Sequence, residues 1–167
     1  SRLRLIVVVL LVLLALPVLT LAGFRTAAGL REVNTAAALA PPQGQFVATR
    51  SGRMFLQQKG PATGVPVVLI HGAGAWSELW RPTIDHLAGL GFRVIALDMP
   101  PFGFSGRPQP PDYSRTAQAE RIADVLKALQ ADKAVLVGHS FGAGPTVETV
   151  LRFPFRVRGL VLVAGAL

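Results

Sequence analysis

Apolar runs dominate the pattern of hydrophobic and polar positions from residue 65 onward. Four such runs, rich in Val, Ile and Leu, occupy residues 65–70, 92–97, 134–137 and 157–164. Apolar runs without polar alternation are typical of strands buried on both faces of a parallel sheet. Two further short strands are predicted over residues 45–50 and 53–57, joined as a hairpin at Ser51-Gly52.

Helical periodicity fills the intervals between these runs. Apolar positions at helical spacing mark three segments, around Leu79, Ile84, Leu87 and Leu90, around Ile122, Val125, Leu126 and Leu129, and across residues 141–153. Ser114 is the predicted N-cap of the second helix, and Pro145 falls in or near the first turn of the third. Alternating strands and helices predict an α/β fold, with a doubly wound, mostly parallel sheet.

The N-terminal segment follows a different pattern. From Leu5 to Phe24 the chain has no charged residue, and Arg25 closes the run. As a helix this run is about 30 Å long, the thickness of the hydrocarbon core of a bilayer. A transmembrane anchor is therefore favoured over a signal peptide, whose apolar core is shorter, although small residues at Thr20-Leu21-Ala22 leave cleavage open.

Three regions follow from these patterns. Residues 1–24 form the anchor or signal peptide, residues 25–44 a tether that ends in Pro41-Pro42, and residues 45–167 the N-terminal part of the α/β domain. By default an anchor of this kind places the domain outside the cytoplasm. Secretion after cleavage and a cytoplasmic domain are the alternatives.

Composition and charge exclude several classes of protein. A hydrophobic content of 51% rules out a disordered chain. The net charge is +8, but the basic residues after the tether are scattered, which argues against nucleic-acid binding. The chain has no Cys, so it has no disulfide, thiolate zinc site or Cys nucleophile. No metal cluster, phosphate loop or dinucleotide fingerprint occurs, so no cofactor is predicted, and nothing indicates the oligomeric state.

The strongest chemical motif is Gly138-His139-Ser140-Phe141-Gly142, between a predicted strand and a predicted helix. This is the context of a G-x-S-x-G nucleophile elbow, in which a sharp turn raises the Ser hydroxyl above the sheet. Larger side chains at the flanking positions would collide with the crossing chain, which explains the two glycines. The motif predicts Ser140 as the nucleophile.

A second motif, His71-Gly72-Ala73-Gly74, directly follows the first buried strand. A backbone N–H in this turn, assigned to Ala73, and the N–H of Phe141 together form the predicted oxyanion hole. His71 belongs to this turn, and a purely structural role for it is equally open. The turn-rich segment from Asp98 to Gly106 follows the next strand, where Asp98 is expected to fix the loop rather than to act as an acid.

The order of these motifs, H-G-x-G, D-x-P-P-x-G-x-S, G-H-S-x-G and R-G-L-V-L-V, resembles the α/β-hydrolase superfamily from about residue 45 onward. The resemblance is to the branch of haloperoxidase-like, epoxide-hydrolase-like and C–C-bond-hydrolase-like enzymes. It implies Ser140 as nucleophile and the Ala73 and Phe141 N–H groups as oxyanion hole, with a small-molecule substrate. At the nucleophile position this chain has Ser, where some enzymes of the branch have Asp. This difference implies hydrolysis of an ester, thioester, lactone, amide or C–C bond.

The general base is the missing part of this pattern. A Ser hydroxyl needs a base, and in this superfamily the triad acid and His follow the nucleophile. After Ser140 there is one acid, Glu148, and no His; the three His are His71, His86 and His139. We therefore expect the acid and the His beyond Leu167, an open apolar edge at the last strand, and no activity from residues 1–167 alone. The alternatives are a non-catalytic α/β-hydrolase-like scaffold and cofactor-free perhydrolysis, and the substrate is not indicated.

Overall fold

The apolar N-terminal run forms a helix that is longer than the sequence pattern predicts. In the computed structural model, which describes residues 2–31 and 34–165, helix α1 spans Arg2–Arg31. Its mean hydropathy over 18 residues is 3.2, so it is long and apolar enough to cross a membrane, as an anchor or as a signal sequence. The hydroxyl of Thr20 donates to the carbonyl of Leu16 at 2.7 Å, so this polar group is satisfied within the helix.

The predicted tether is partly helical. Its first residues continue α1 as far as Arg31, and Ala36–Leu39 forms the single turn α2. Ala and Leu have high helix propensity, so the composition of this stretch supports helix until Pro41-Pro42. Residues 32 and 33 lie outside the described residues, as do 166 and 167. The chain divides into two units, Ser1–Leu39 and Ala40–Leu167, and the second contains the sheet.

Each predicted strand is present in a six-stranded sheet of order β1-β2-β4-β3-β5-β6. The strands are β1 (Gly44–Thr49), β2 (Gly52–Lys59), β3 (Pro66–Ile70), β4 (Arg93–Leu97), β5 (Ala134–His139) and β6 (Val157–Val163). The hairpin β1–β2 joins the sheet antiparallel to β4, while β4, β3, β5 and β6 are parallel. The prediction of a mostly parallel α/β sheet is confirmed.

Three helices cover the two faces of this sheet. They are α3 (Arg81–Gly89), α4 (Arg115–Ala128) and α5 (Ala143–Arg152). The hydroxyl of Ser114 accepts the Ala117 N–H at 3.2 Å, which confirms Ser114 as the N-cap of α4. Pro145 lies in the first turn of α5, where its missing N–H removes no helical hydrogen bond.

The hydrophobic core has two layers, one on each side of the sheet. On one side Ile84 of α3 packs against alternate residues of β3 and β4, namely Val67, Leu69, Val94 and Ala96. On the other side Ile122 and Leu126 of α4 pack against the intervening residues, Val68, Ile70, Ile95 and Leu97. Because both faces of each strand are buried, residues 67–70 of β3 and 94–97 of β4 are all apolar, as the sequence pattern indicates.

The β6 strand has no neighbour on its outer side among residues 34–165. Leu160, Val161, Leu162 and Val163 are 39 to 46% exposed, in contrast to the fully buried residues of β3 and β4. The predicted open apolar edge is therefore present. Such an edge pairs readily with another strand.

Candidate active site

Ser140 occupies a strained turn at the carboxyl end of β5. One 3₁₀ turn, Ser140–Gly142, joins β5 to α5, and Ser140 has a φ of +49°. L-residues rarely adopt this left-handed conformation, which costs roughly 1–3 kcal/mol at a non-glycine residue. Strain of this kind persists only where the surrounding packing enforces it.

Two glycines allow the chain to pack this tightly around Ser140. A Cβ at Gly138 would lie 2.6 Å from Oγ1 of Thr146 and 2.8 Å from Cα of Ala143. A Cβ at Gly142 would lie 2.6 Å from the carbonyl oxygen of His71. Neither glycine has positive φ, so both positions require glycine for space rather than for conformation.

The turn after β3 lies directly against this elbow. A Cβ at Gly72 would be 2.9 Å from Nδ1 of His139 and 3.2 Å from Cβ of Ser140. Ala73, the next residue, is exposed, and Gly74 has a φ of +70°. The backbone segments that carry the Ala73 and Phe141 N–H groups therefore adjoin at the carboxyl end of the sheet.

His71 is fully buried, and both of its ring nitrogens have partners. Nε2 accepts the Met99 N–H at 2.8 Å, which places the ring proton on Nδ1, 2.7 Å from the carbonyl oxygen of Gly72. Burial lowers the pKa of His71 below its ordinary value, so the ring is neutral. With both nitrogens occupied, His71 connects the loops after β3 and β4 and has no lone pair for Ser140.

Asp98 connects the same two loops through its carboxylate. Oδ1 accepts the Ser77 N–H and Oδ2 accepts the Phe104 N–H, each at 2.7 Å. The hydroxyl of Ser105 donates to the Asp98 carbonyl at 2.6 Å. Asp98 is fully buried, so these bonds replace water around the carboxylate. The loop-fixing role predicted for Asp98 is confirmed.

A second polar network, which the sequence pattern did not predict, supports the 71–80 segment from β2. The Gln57 amide is buried and donates to Oγ of Ser77 at 3.0 Å and to the Glu78 carboxylate at 2.9 Å, while its oxygen accepts from Arg81. The hydrogen bonds from Arg81 and Gln57 hold the pKa of Glu78 below its ordinary value. A polar residue directly after the apolar triplet 54–56 was the only signal of this network.

Aromatic side chains pack around the turns that carry Ser140 and Ala73. The Phe102 ring lies 6.1 Å from the His71 ring and 6.0 Å from the Phe141 ring, edge to face in both cases. The His139 ring packs edge to face against Trp80 at 6.2 Å, and its Nδ1 is buried without a hydrogen-bond partner among the described residues. This apolar surrounding strengthens electrostatic interactions at Ser140.

The remaining acids and bases lie elsewhere. His86 is exposed on α3, and Glu148 on α5 pairs with Arg152 at 3.8 Å. In the part of the chain that the structure describes, no side chain forms a hydrogen bond with the Ser140 hydroxyl, and no group of acids and His has the arrangement of a metal site. The described residues thus bring together the predicted turn, its two glycines and the backbone segments that carry the Ala73 and Phe141 N–H groups. They do not supply a base for Ser140.

Comparison with known proteins identifies the family. Residues 65–167 match the alpha/beta hydrolase fold family. The chain belongs to this family. As an α/β-hydrolase it is also similar to individual hydrolases of known sequence. A 2-hydroxymuconate semialdehyde hydrolase of Pseudomonas sp. (strain CF600) is 39% identical over 130 residues, which are 75% of this chain and 44% of that protein.

Solved structures give the same result for this α/β-hydrolase. A meta-cleavage product hydrolase shares 37% identity with a TM-score of 0.68, covering 73% of this chain and 45% of that one. A membrane phospholipase A shares 29% identity with a TM-score of 0.70, covering 99% of this chain and 53% of that one. The chain spans less than half the length of the curated relatives that it matches. These relatives support a hydrolase.

Proposed function

We propose that the whole protein is a serine hydrolase that cleaves a carbonyl substrate through an acyl-enzyme on Ser140. The Ser140 oxygen attacks the carbonyl carbon, a base takes the hydroxyl proton, and the leaving group departs with a proton. Water then attacks the acyl-enzyme, which releases an acid and restores the Ser140 hydroxyl. The observation that carries this proposal is the positive φ of Ser140 at a strand-to-helix turn that has room only for glycine on both sides.

The developing oxyanion is held by the backbone N–H groups of Ala73 and Phe141. Their turns adjoin at the carboxyl end of β3 and β5, because the Gly72 backbone packs against Ser140. Helix α5 begins at Ala143, just after Phe141, and its N-terminus favours negative charge nearby. Donors fixed in position before the reaction typically contribute 100- to 1,000-fold each to the rate.

The acid and the His of the triad come from a part of the protein beyond Leu167. This assignment is supported by His71, whose nitrogens are both occupied. It is also supported by His86, which is exposed on α3, and by relatives of which the match to this chain covers less than half. Residues 1–167 alone are then expected to bind substrate groups weakly and to give no turnover.

The substrate class is an ester, thioester, lactone, amide or C–C bond adjacent to a carbonyl. Relatives named as a semialdehyde hydrolase, a phospholipase A and an esterase support this range. We further propose that α1 is an uncleaved single-pass anchor, with the domain outside the cytoplasm. The length and mean hydropathy of α1 support an anchor, and the similarity to a membrane phospholipase A extends over 99% of the chain.

The test is ester hydrolysis by the full-length protein. With p-nitrophenyl acetate we expect Ser140-dependent turnover that Ser140→Ala reduces at least 1,000-fold. Ser114→Ala is the matched control, because that residue is exposed and its hydroxyl caps α4 without a hydrogen bond to either turn, and it should retain activity. A folded full-length protein with no turnover on acyl esters, thioesters or amides would favour a non-catalytic scaffold instead.

A further inference from the structure

A groove lies at the end of the sheet opposite Ser140. It is formed by the end of β1, the second half of α4 and the 3₁₀ turn Pro154–Arg156, and it encloses about 530 Å³. That turn precedes β6, whereas Ser140 follows β5, and the two strands are parallel neighbours. The groove is therefore separate from the candidate active site, and its volume lies in the range of small-molecule sites.

The lining of this groove is largely apolar. Its apolar residues, here called the floor, are Ala48, Ala123, Ala128, Phe153 and Phe155. Phe155 is 66% exposed. An exposed large apolar side chain contributes favourable free energy when a ligand covers it.

The charged residues of the lining, here called the rim, are three cations, Arg50, Lys127 and Arg156, and one carboxylate, Asp124. Arg50 lies 3.5 Å from Asp124, and Arg156 pairs with Asp132 while its guanidinium lies 5.2 Å from the Phe155 ring centroid. Lys127, the third cation of the lining, has no ion-pair partner among residues 34–165. An apolar floor with a single uncompensated cation complements a ligand that has an apolar chain and one negative charge.

We propose that this groove binds a single-chain carboxylate amphiphile, such as a medium-chain fatty-acid anion. The chain lies on the alanine and phenylalanine floor, and the carboxylate is held by Lys127. The carboxylate gains charge-assisted hydrogen bonds there, and the chain is removed from water. This site does not depend on the chemistry proposed for Ser140.

The test is photolabelling of the full chain in lipid nanodiscs with a diazirine-bearing dodecanoate, followed by peptide mapping. A diazirine-bearing dodecanol is the neutral control probe. Both probes will label the apolar helix α1, which gives an internal reference in every sample. We expect the carboxylate probe to label residues 123–128 and 153–156 about tenfold more than the alcohol does, because a charge-assisted bond discriminates between them by about that factor.

Matched variants locate the interaction. Lys127→Gln should reduce groove labelling about tenfold at unchanged α1 labelling. Lys133→Gln, an exposed lysine outside the groove lining, should leave groove labelling unchanged. Phe155→Ser removes part of the floor at an exposed position and should also weaken labelling. Ser140→Ala should have no effect, which separates this proposal from the proposed hydrolase activity.

Three results would overturn the proposal. Equal groove labelling by the alcohol and the carboxylate would remove the role of charge. Labelling that Lys127→Gln leaves unchanged would remove the assigned cation. Labelling of the groove only by a diazirine acyl chain built into phosphatidylglycerol of the bilayer, and not by the free carboxylate, would replace the ligand site with a membrane contact.

Discussion

Two adjoining turns at the carboxyl end of the sheet are stabilised in different ways. The turn after β3 is held by buried polar groups. His71 of this turn accepts a hydrogen bond from Met99, and Asp98 and Gln57 provide hydrogen bonds from other parts of the chain. The elbow after β5 is held by close packing. Its glycines leave no space for a Cβ, and the buried Thr146 hydroxyl donates to the Gly142 carbonyl at 2.6 Å.

This difference fits the roles that we propose for the two turns. The elbow must hold Ser140 in a strained conformation, and steric packing in a dense interior resists relaxation. The turn after β3 must keep an N–H group directed at the same point, and directional hydrogen bonds fix orientation. The elbow should therefore respond to changes of side-chain volume, and the other turn to the loss of polar groups at constant volume.

The largest loss of stability is expected for Gly142→Ala. The new Cβ would overlap two backbone carbonyl oxygens, of His71 and Ile70, which move only if β3 moves. We expect a decrease in the free energy of unfolding of about 3 kcal/mol, measured by urea denaturation with the fluorescence of Trp76 and Trp80. Gly89→Ala is the control, because no atom lies within 4 Å of its Cβ, and it should change stability by less than about 0.5 kcal/mol. Similar effects for the two variants would contradict the steric account of the elbow.

Asp98→Asn tests the polar account of the turn after β3. The two side chains are nearly equal in volume. In the native protein the two carboxylate oxygens accept the Ser77 and Phe104 N–H groups. In the variant an amide NH₂ group replaces one of these oxygens, so one of the two N–H groups loses its acceptor. We expect a loss of about 2 kcal/mol from one unsatisfied buried donor. In the active full-length protein, the variant should lower kcat more than it raises KM. Unchanged stability would show that Asp98 does not hold the two loops together.

Lowering the pH tests whether His71 is neutral in the folded protein, and the expected change in stability is smaller than for Asp98→Asn. Burial lowers the pKa of His71 in the folded state. Below about pH 6.5 the unfolded chain therefore binds more protons than the folded chain, so stability decreases as the pH is lowered. Between pH 7.5 and pH 5.5 this residue accounts for a loss of up to about 1.4 kcal/mol. His71→Asn should remove this part of the pH dependence, whereas His86→Gln, at an exposed position, should retain it. A slope unaffected by His71→Asn would assign the dependence to other groups.

Gln57→Leu is expected to have the smallest effect of the four. Leucine has nearly the same volume and stays compatible with β2, while the Arg81–Glu78 pair, 2.8 Å apart, is retained. The hydrogen bonds from Gln57 to Ser77 and Glu78 are lost. We expect a decrease in stability of about 1 kcal/mol by urea denaturation. A loss as large as that of Gly142→Ala would remove the distinction between the two turns.

Much of the fold follows from local sequence pattern. Each of the six strands coincides with an apolar or hairpin signal. The signal is clearest at β3 and at residues 94–97 of β4, because strands buried on both faces favour apolar residues at every position. The G-x-S-x-G context likewise placed Ser140 at a strand-to-helix turn. The end of α1 was harder to predict from the sequence. Arg25 closes the apolar run, but residues with high helix propensity continue the helix to Arg31.

The polar networks were not predictable in the same way. Gln57 contacts Ser77 and Glu78 across about twenty positions of sequence, and His71 contacts Met99 across a similar interval. Such bonds depend on strand order, because β2 neighbours β4 and β4 neighbours β3. No local periodicity encodes that order. The groove opposite Ser140 was not predicted for the same reason, since its three walls come from β1, α4 and the turn before β6.

The most direct measurement of the central claim is covalent labelling of the full-length protein by a fluorophosphonate, followed by mass mapping of the adduct. We expect one adduct per chain, located on Ser140 in the peptide that joins β5 to α5, and no adduct in Ser140→Ala. The control Ser105→Ala changes a buried structural hydroxyl, and the folded variant should keep the adduct. An adduct on another residue, or labelling that persists in Ser140→Ala, would contradict the assignment of Ser140 as the nucleophile.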